Sequence, residues 1–71
     1  MNEKLDIPLY EIRIEGHLDP RWSDWLDGVA ITLLDSDETL LSGTLADQAA
    51  LHGLLAKIRD MNLKLISVRR I

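Results

Sequence analysis

Cysteine is absent from the 71-residue chain, so neither disulfide bonds nor thiolate metal ligands can stabilise it. A chain of this size buries only about 60% of the surface that it exposes when unfolded, which leaves a narrow stability margin. Small scaffolds commonly gain stability from disulfides, a bound metal or oligomerisation. The only histidines, His17 and His52, are too few for an all-imidazole metal site within one chain. We therefore expect no cofactor or metal and predict a homodimer.

Excess positive charge and long apolar runs are missing as well. The net charge is −4, and Arg69-Arg70 is the only basic pair. Nucleic-acid-binding domains usually carry a basic stripe, so no nucleic-acid partner is expected. No apolar run approaches the roughly 18 residues of a membrane span, and the first six residues lack the basic and apolar regions of a signal peptide. These absences predict a cytoplasmic protein that does not bind membranes.

Hydrophobic residues make up 46% of the chain and charged residues 28%, which is typical of a globular domain. We expect one domain over residues 1–71, with residues 1–7 flexible. Apolar residues alternate in four segments, a period typical of β-strands. These predicted strands are 9–15, 29–34, 39–45 and 63–71. The last one is apolar on both faces at Leu65 and Ile66, and Gly43 in the third marks a bulge or a close approach, for instance of a tryptophan ring.

A helix is predicted over residues 46–61, where apolar residues follow the helical spacing. These are Leu51, Leu54, Leu55, Ile58 and Met61. Thr44 and Asp47 resemble a capping box at its start. Asn62 suits the left-handed conformation that often ends a helix.

Residues 16–28, GHLDPRWSDWLDG, hold both tryptophans between two glycines. Asp19-Pro20 is a helix-start signal, because the carboxylate caps free N–H groups and proline fits the first helical position. Trp22, Trp25 and Leu26 then form one apolar stripe. Such a short helix is not stable alone, so we predict that both indoles pack into the core.

The predicted element order is β-α-β-β-α-β, which indicates an α+β, two-layer, ferredoxin-like fold with a short first helix. A crossover between parallel strands usually needs a dozen or more residues, and residues 16–28 barely supply that number. The alternative is a β-meander with one long helix and a fourth strand, in which 16–28 is a loop between neighbouring strands.

With both helices on one sheet face, the other face is predicted to meet solvent or a partner. It would carry Leu9, Ala30, Leu34 and Leu40 among polar residues, and part of the last strand. An apolar patch of a few hundred Å² signals an interface on many monomers, although scattered exposed leucines are also normal. We expect a homodimer through this open sheet face or through an edge strand, and a further protein partner is compatible with the same surface.

Six residues are candidates for binding a ligand or partner. They are His17, Asp19, Arg21, Trp22, Trp25 and His52. A histidine beside a carboxylate is the minimal part of an acid–base pair, but no serine or cysteine stands in a nucleophile context. Asp19 is explained as a cap, Arg21 as a solvated charge and His52 as a half-buried structural residue. The sequence therefore assigns no catalytic residue and no metal ligand.

The chain resembles a family of short, uncharacterised bacterial proteins with a GHLDxRWxxW…DQAALHGLL pattern. The resemblance is carried by residues 16–19, 21–22, 25, 28, 41–43, 47–55, 59–60 and 65–68. It implies a common fold and no activity or cofactor. Thr44 stands where the family pattern has proline after the glycine of the third strand.

Two functions remain open at this point. The first is a small non-enzymatic protein-interaction or regulatory module that self-associates. The second is a small-ligand-binding protein or minor enzyme with a pocket near His17, Trp22 and Trp25. A pocket requires convergent polar groups in an apolar cleft, whereas an interaction module requires only an exposed face.

Overall fold

A computed structural model describes residues 8–71, which form one four-stranded antiparallel sheet with one α-helix. The expectation that residues 1–7 are flexible lies outside the described residues. In chain order the elements are β1 Leu9–Glu15, a 3₁₀ turn Pro20–Ser23, β2 Ala30–Leu34, β3 Glu38–Thr44, α1 Gln48–Asp60 and β4 Leu65–Arg70. The α+β class is confirmed, and each predicted strand and the long helix lies within two residues of its predicted bounds.

The ferredoxin-like βαββαβ prediction is wrong, because only one helix accompanies the sheet over residues 8–71. The sheet order is β2-β3-β1-β4, so the meander alternative is wrong as well: β1 and β2 are not neighbours. Residues 16–28 connect two strands that run parallel on either side of β3, but they form a four-residue 3₁₀ turn and not a crossover helix. Two turns of helix gain too few hydrogen bonds to offset nucleation, and Asp27 and Gly28 already adopt positive φ angles of 61° and 78°.

The core lies between the sheet and α1. Tyr10, Ile12 and Ile14 of β1 alternate with more exposed residues, as the period of two predicted. Opposite them on β3 stand Gly43, Leu41 and Thr39, and α1 contributes Leu51, Leu54 and Ile58. Leu18, Leu26, Val29 and Leu45 complete the buried apolar cluster.

The tryptophans are not in this core, contrary to the prediction. Trp22 is 47% and Trp25 is 51% exposed, whereas Leu26 is completely buried. Trp22 lies in the 3₁₀ turn Pro20–Ser23 and Trp25 lies two residues after it, in a segment too short and irregular to bury both indoles together with Leu26. Two leucines, Leu18 and Leu26, therefore anchor residues 16–28 where the sequence suggested two indoles.

Thr39 is the one completely buried polar residue among those described, and it fixes residues 16–18 to the sheet. Its hydroxyl donates to the Gly16 carbonyl oxygen at 2.6 Å and accepts from the Leu18 N–H at 2.9 Å. These backbone groups have no strand partner, and leaving them buried and unpaired would cost about 1–3 kcal/mol. One side chain thus replaces the hydrogen bonds that a regular element would have supplied.

Helix α1 begins at a different cap from the predicted one. Asp47 itself is the N-cap, and its carboxylate accepts from the Ala50 N–H at 2.8 Å, so the Thr44–Asp47 capping box is wrong. Asn62 adopts a φ of 61° after the helix, as predicted. The close approach at Gly43 is also present, but the neighbour is Val29, whose Cγ1 would lie 3.1 Å from an added Cβ.

Replacing Thr39 by valine keeps the shape of the side chain and removes both hydrogen bonds. We expect Thr39→Val to lower the free energy of unfolding by about 1–3 kcal/mol, because the Gly16 carbonyl and the Leu18 N–H lose their partner. Amide hydrogen exchange should show loss of protection at Leu18. Thr39→Ser is the matched control, since it retains the hydroxyl; equal loss of Leu18 protection in both variants would contradict the assigned role.

Candidate functional site

Residues 16–28 pass over the end of β3 and are held against the β2–β3 hairpin. The Gly16 N–H donates to the Asp37 carbonyl oxygen at 2.8 Å. His17 Nε2 donates to the Leu34 carbonyl oxygen, also at 2.8 Å. One ring nitrogen of His17 is therefore engaged with the backbone, which gives this exposed histidine a structural role at the end of β2.

Asp19 and Arg21 form a local pair at the start of the 3₁₀ turn. The Asp19 carboxylate accepts from the Arg21 backbone N–H at 2.9 Å, as the capping prediction required. It also accepts from Arg21 Nε at 3.0 Å and Nη2 at 2.8 Å. These bonds favour the charged forms of both groups, so the side-chain hydrogen bond lowers the pKa of Asp19 and raises that of Arg21.

Trp22 lies beside this pair and forms an open concavity with it. Asp19, Arg21 and Trp22 line a volume of about 280 Å³. One aromatic face stands next to a carboxylate and a guanidinium that already satisfy each other. The arrangement supplies a stacking surface with a polar rim, and it offers no nucleophile.

Trp25 belongs to a second group, together with Lys57 of α1. Lys57 Nζ lies 5.3 Å from the centre of the Trp25 ring, within the range of a cation–π interaction. The same ammonium donates to the Trp25 carbonyl oxygen at 3.2 Å and to Asp27 Oδ1 at 2.8 Å. Lys57 was not a predicted site residue; its basic character late in the helix was the only signal in the sequence.

His52 does not join the other candidates. It is exposed on α1, where a half-buried structural histidine was expected, and it lines neither concavity. Over residues 8–71, no group of three or more His, Cys, Asp or Glu side chains is placed to hold a metal ion. The six predicted residues are thus divided among four places: the Asp19–Arg21–Trp22 concavity, the Trp25–Lys57 contact, the end of β2 and the surface of α1.

The sequence predicted the apolar surface around β4 only in part. A concavity of about 260 Å³ lies between the end of α1 and β4, lined by Leu55, Ile58, Arg59, Asn62, Leu63 and Leu65. Four large apolar side chains on or beside β4 are exposed, namely Leu65, Ile66, Val68 and Ile71. The sequence showed that both faces of this strand are apolar and led us to predict a dimer through the open sheet face or an edge strand, but it gave no sign of the concavity.

Residues 9–69 match a protein family described as a domain of unknown function, DUF8691. The chain belongs to this family. The match spans the sheet except for Arg70 at the end of β4 and includes all six candidate residues, and the prediction of an uncharacterised family is confirmed at this level. No curated protein and no solved structure matches the chain.

Membrane insertion through a helix finds no support in the part of the chain that the structure describes. The helix present there, α1, has 13 residues. No described helix combines the length and the apolar character that crossing a bilayer would take.

The Asp19–Arg21 pair gives a testable pKa. We expect Arg21→Gln to raise the pKa of Asp19 towards its ordinary value, measured by NMR titration of the carboxyl group, because the neutral amide favours the carboxylate less. With its lowered pKa, Asp19 stabilises the fold above the unfolded-state pKa, and this contribution is lost as the pH falls through the folded-state pKa. Solvent exposure keeps the effect on stability small.

Arg59→Gln serves as the control, since Arg59 contacts Asp60 and not Asp19. An unchanged Asp19 pKa in Arg21→Gln would show that the pair does not persist in solution.

Proposed function

We propose that this protein is a small non-enzymatic interaction module that self-associates through the free edge of β4. The observation that carries the proposal is the concentration of exposed apolar side chains there. Leu65, Ile66, Val68 and Ile71 are between 37% and 57% exposed, and Leu65 also lines the apolar concavity beside α1. Exposed apolar patches on small domains commonly mark interaction sites.

The open sheet face, the other surface predicted for a dimer, is less suited to the role. Leu9, Leu34 and Leu40 on it are only partly exposed. In the register, Leu40 stands between Arg13 and Thr32, and Arg13 Nε lies 3.4 Å from Glu38 Oε1 across the same face. Its leucines are thus separated by polar groups and only partly exposed, whereas four large apolar side chains on or beside β4 are exposed. These observations therefore favour self-association through the edge of β4 over self-association through the open sheet face.

Self-association through β4 depends on an apolar contact that a charge should break. We expect the wild-type protein to form dimers at high micromolar concentration in sedimentation velocity, and Ile66→Lys to weaken them by at least about tenfold, or 1.4 kcal/mol. The new ammonium would have to lose water at the interface. Ile66 is already exposed, so the monomer should fold normally.

Leu33→Lys is the matched control, because Leu33 is equally exposed, at 45%, on the opposite edge strand β2. A wild-type protein that stays monomeric, or a Leu33→Lys variant that dissociates as readily as Ile66→Lys, would refute the proposal.

A second function, binding of a small ligand beside Trp22, is favoured by the exposure of both indoles. An aromatic face left half-open to water next to polar groups is a common element of ligand sites. This function predicts that a thermal-shift screen with metabolites finds a compound that stabilises the protein by about 2.7 kcal/mol at 100 times its Kd. Trp22→Ala should abolish the shift while Trp25→Ala preserves it. A broad screen without any stabilising compound argues against it.

Two finer expectations belong to the same proposal. The membership in a group of short bacterial proteins with the GHLDxRWxxW…DQAALHGLL pattern, and the cytoplasmic location, stay predictions. Both agree with a chain that contains no cysteine and carries a net charge of −4.

A further inference from the structure

The backbone of β4 has a defined outer side. The Ile71 N–H donates to the Leu9 carbonyl oxygen at 2.8 Å, and the register places Arg69 opposite Glu11 and Ser67 opposite Arg13. In an antiparallel pair, alternate residues direct their N–H and C=O groups to the neighbouring strand. Residues 71, 69 and 67 therefore bond to β1, and the backbone groups of Val68 and Arg70 point away from it.

Within residues 8–71, no strand pairs with this outer side, because β4 is the last strand of the sheet. An unpaired edge that also exposes apolar side chains is a template for another strand. Val68 is central to it, with its side chain 37% exposed. The register between β1 and β4 is regular from Ser67 to Arg70 and shifts between Arg13 and Ile14, which leaves Ile66 as the extra residue of a bulge.

We infer that two copies of the chain pair their β4 strands antiparallel, with Val68 opposite Val68 of the partner subunit. This inference rests on the proposed self-association and specifies its geometry. The free N–H and C=O groups of Val68 in each copy then satisfy each other. The two four-stranded sheets become one sheet of eight strands, and both α1 helices lie on the same face of it.

Charge disfavours the register with the axis one residue further along the strand. A two-fold axis at Arg69 would set Arg69 opposite the partner's Arg69. Like charges directly opposite each other destabilise a strand pair. With the axis at Val68, Arg69 lies opposite the partner's Ser67 and Arg70 opposite the partner's Ile66.

The same register brings apolar side chains together at the centre of the shared ladder, where the two Val68 side chains lie opposite each other. Val68 is one of the four exposed apolar residues at this edge. The register thus satisfies the free backbone groups, keeps Arg69 away from its counterpart and covers the Val68 side chains.

Single-cysteine crosslinking tests the register in a chain that has no cysteine of its own. The variants Val68→Cys, Ser67→Cys and Leu33→Cys are oxidised at equal, high micromolar concentration, and disulfide-linked dimers are quantified over time. Opposed residues in a hydrogen-bonded pair have Cα atoms about 5.5 Å apart, inside the range of 4.4–6.8 Å that disulfides span. Val68→Cys should crosslink at least about tenfold faster than the other two, because only its thiols face each other.

The outcomes separate the register from the function it rests on. A wild-type protein that sediments as a monomer refutes both. If the protein is a dimer but Ser67→Cys crosslinks fastest, or all three variants crosslink at equal rates, the register alone is refuted. If Leu33→Cys crosslinks fastest, the contact lies on β2, and both the register and self-association through β4 are refuted. Amide exchange of the wild-type protein gives an independent measurement: protection at Val68 and Arg70 should rise with protein concentration, and unchanged protection in a dimer also refutes the register.

Discussion

The hydroxyl of Thr39 holds the irregular part of this chain on its regular part. Residues 16–28 have no strand partner, so turn hydrogen bonds satisfy some of their backbone groups and side chains satisfy others. Thr39 satisfies two of them at once, and Ser23 Oγ adds a bond to the Val29 carbonyl oxygen at 2.7 Å. With these bonds in place, Leu18 and Leu26 complete the apolar core. The fold therefore tolerates a connection without a helix.

This way of attaching the segment determines which surfaces remain available. Since leucines anchor residues 16–28, the indoles of Trp22 and Trp25 stay at the surface. Over residues 8–71 a single α-helix packs on the sheet, and four large apolar side chains on or beside β4 stay exposed as well. Both candidate surfaces of the molecule therefore lie outside the core between α1 and the sheet. In a domain of this size, the fold determines which apolar side chains remain exposed as well as which are buried.

Local patterns were sufficient to predict the strands and α1. The alternation around Tyr10, Ile12 and Ile14 and the helical spacing of Leu51, Leu54 and Ile58 report directly on burial. Residues 16–28 were mispredicted because an Asp-Pro start and an apolar stripe fit a helix equally well, and Thr39 reads as an ordinary strand residue. The structural role of Thr39 depends on hydrogen bonds to residues more than 20 positions away in the sequence. The candidate site near Trp22 was predictable from composition, but the concavity between α1 and β4 required the structure.

Both tryptophans of the protein lie within four positions of each other, on the segment that Thr39 holds in place. Intrinsic fluorescence of the native chain consequently originates almost entirely from this loop, and not from the sheet or the helix. Thermal unfolding followed by indole fluorescence reports the release of residues 16–28 from the sheet. Far-ultraviolet circular dichroism reports the unfolding of the strands and the helix. The chain carries its own local spectroscopic probe at the place where its architecture departs from a regular pattern.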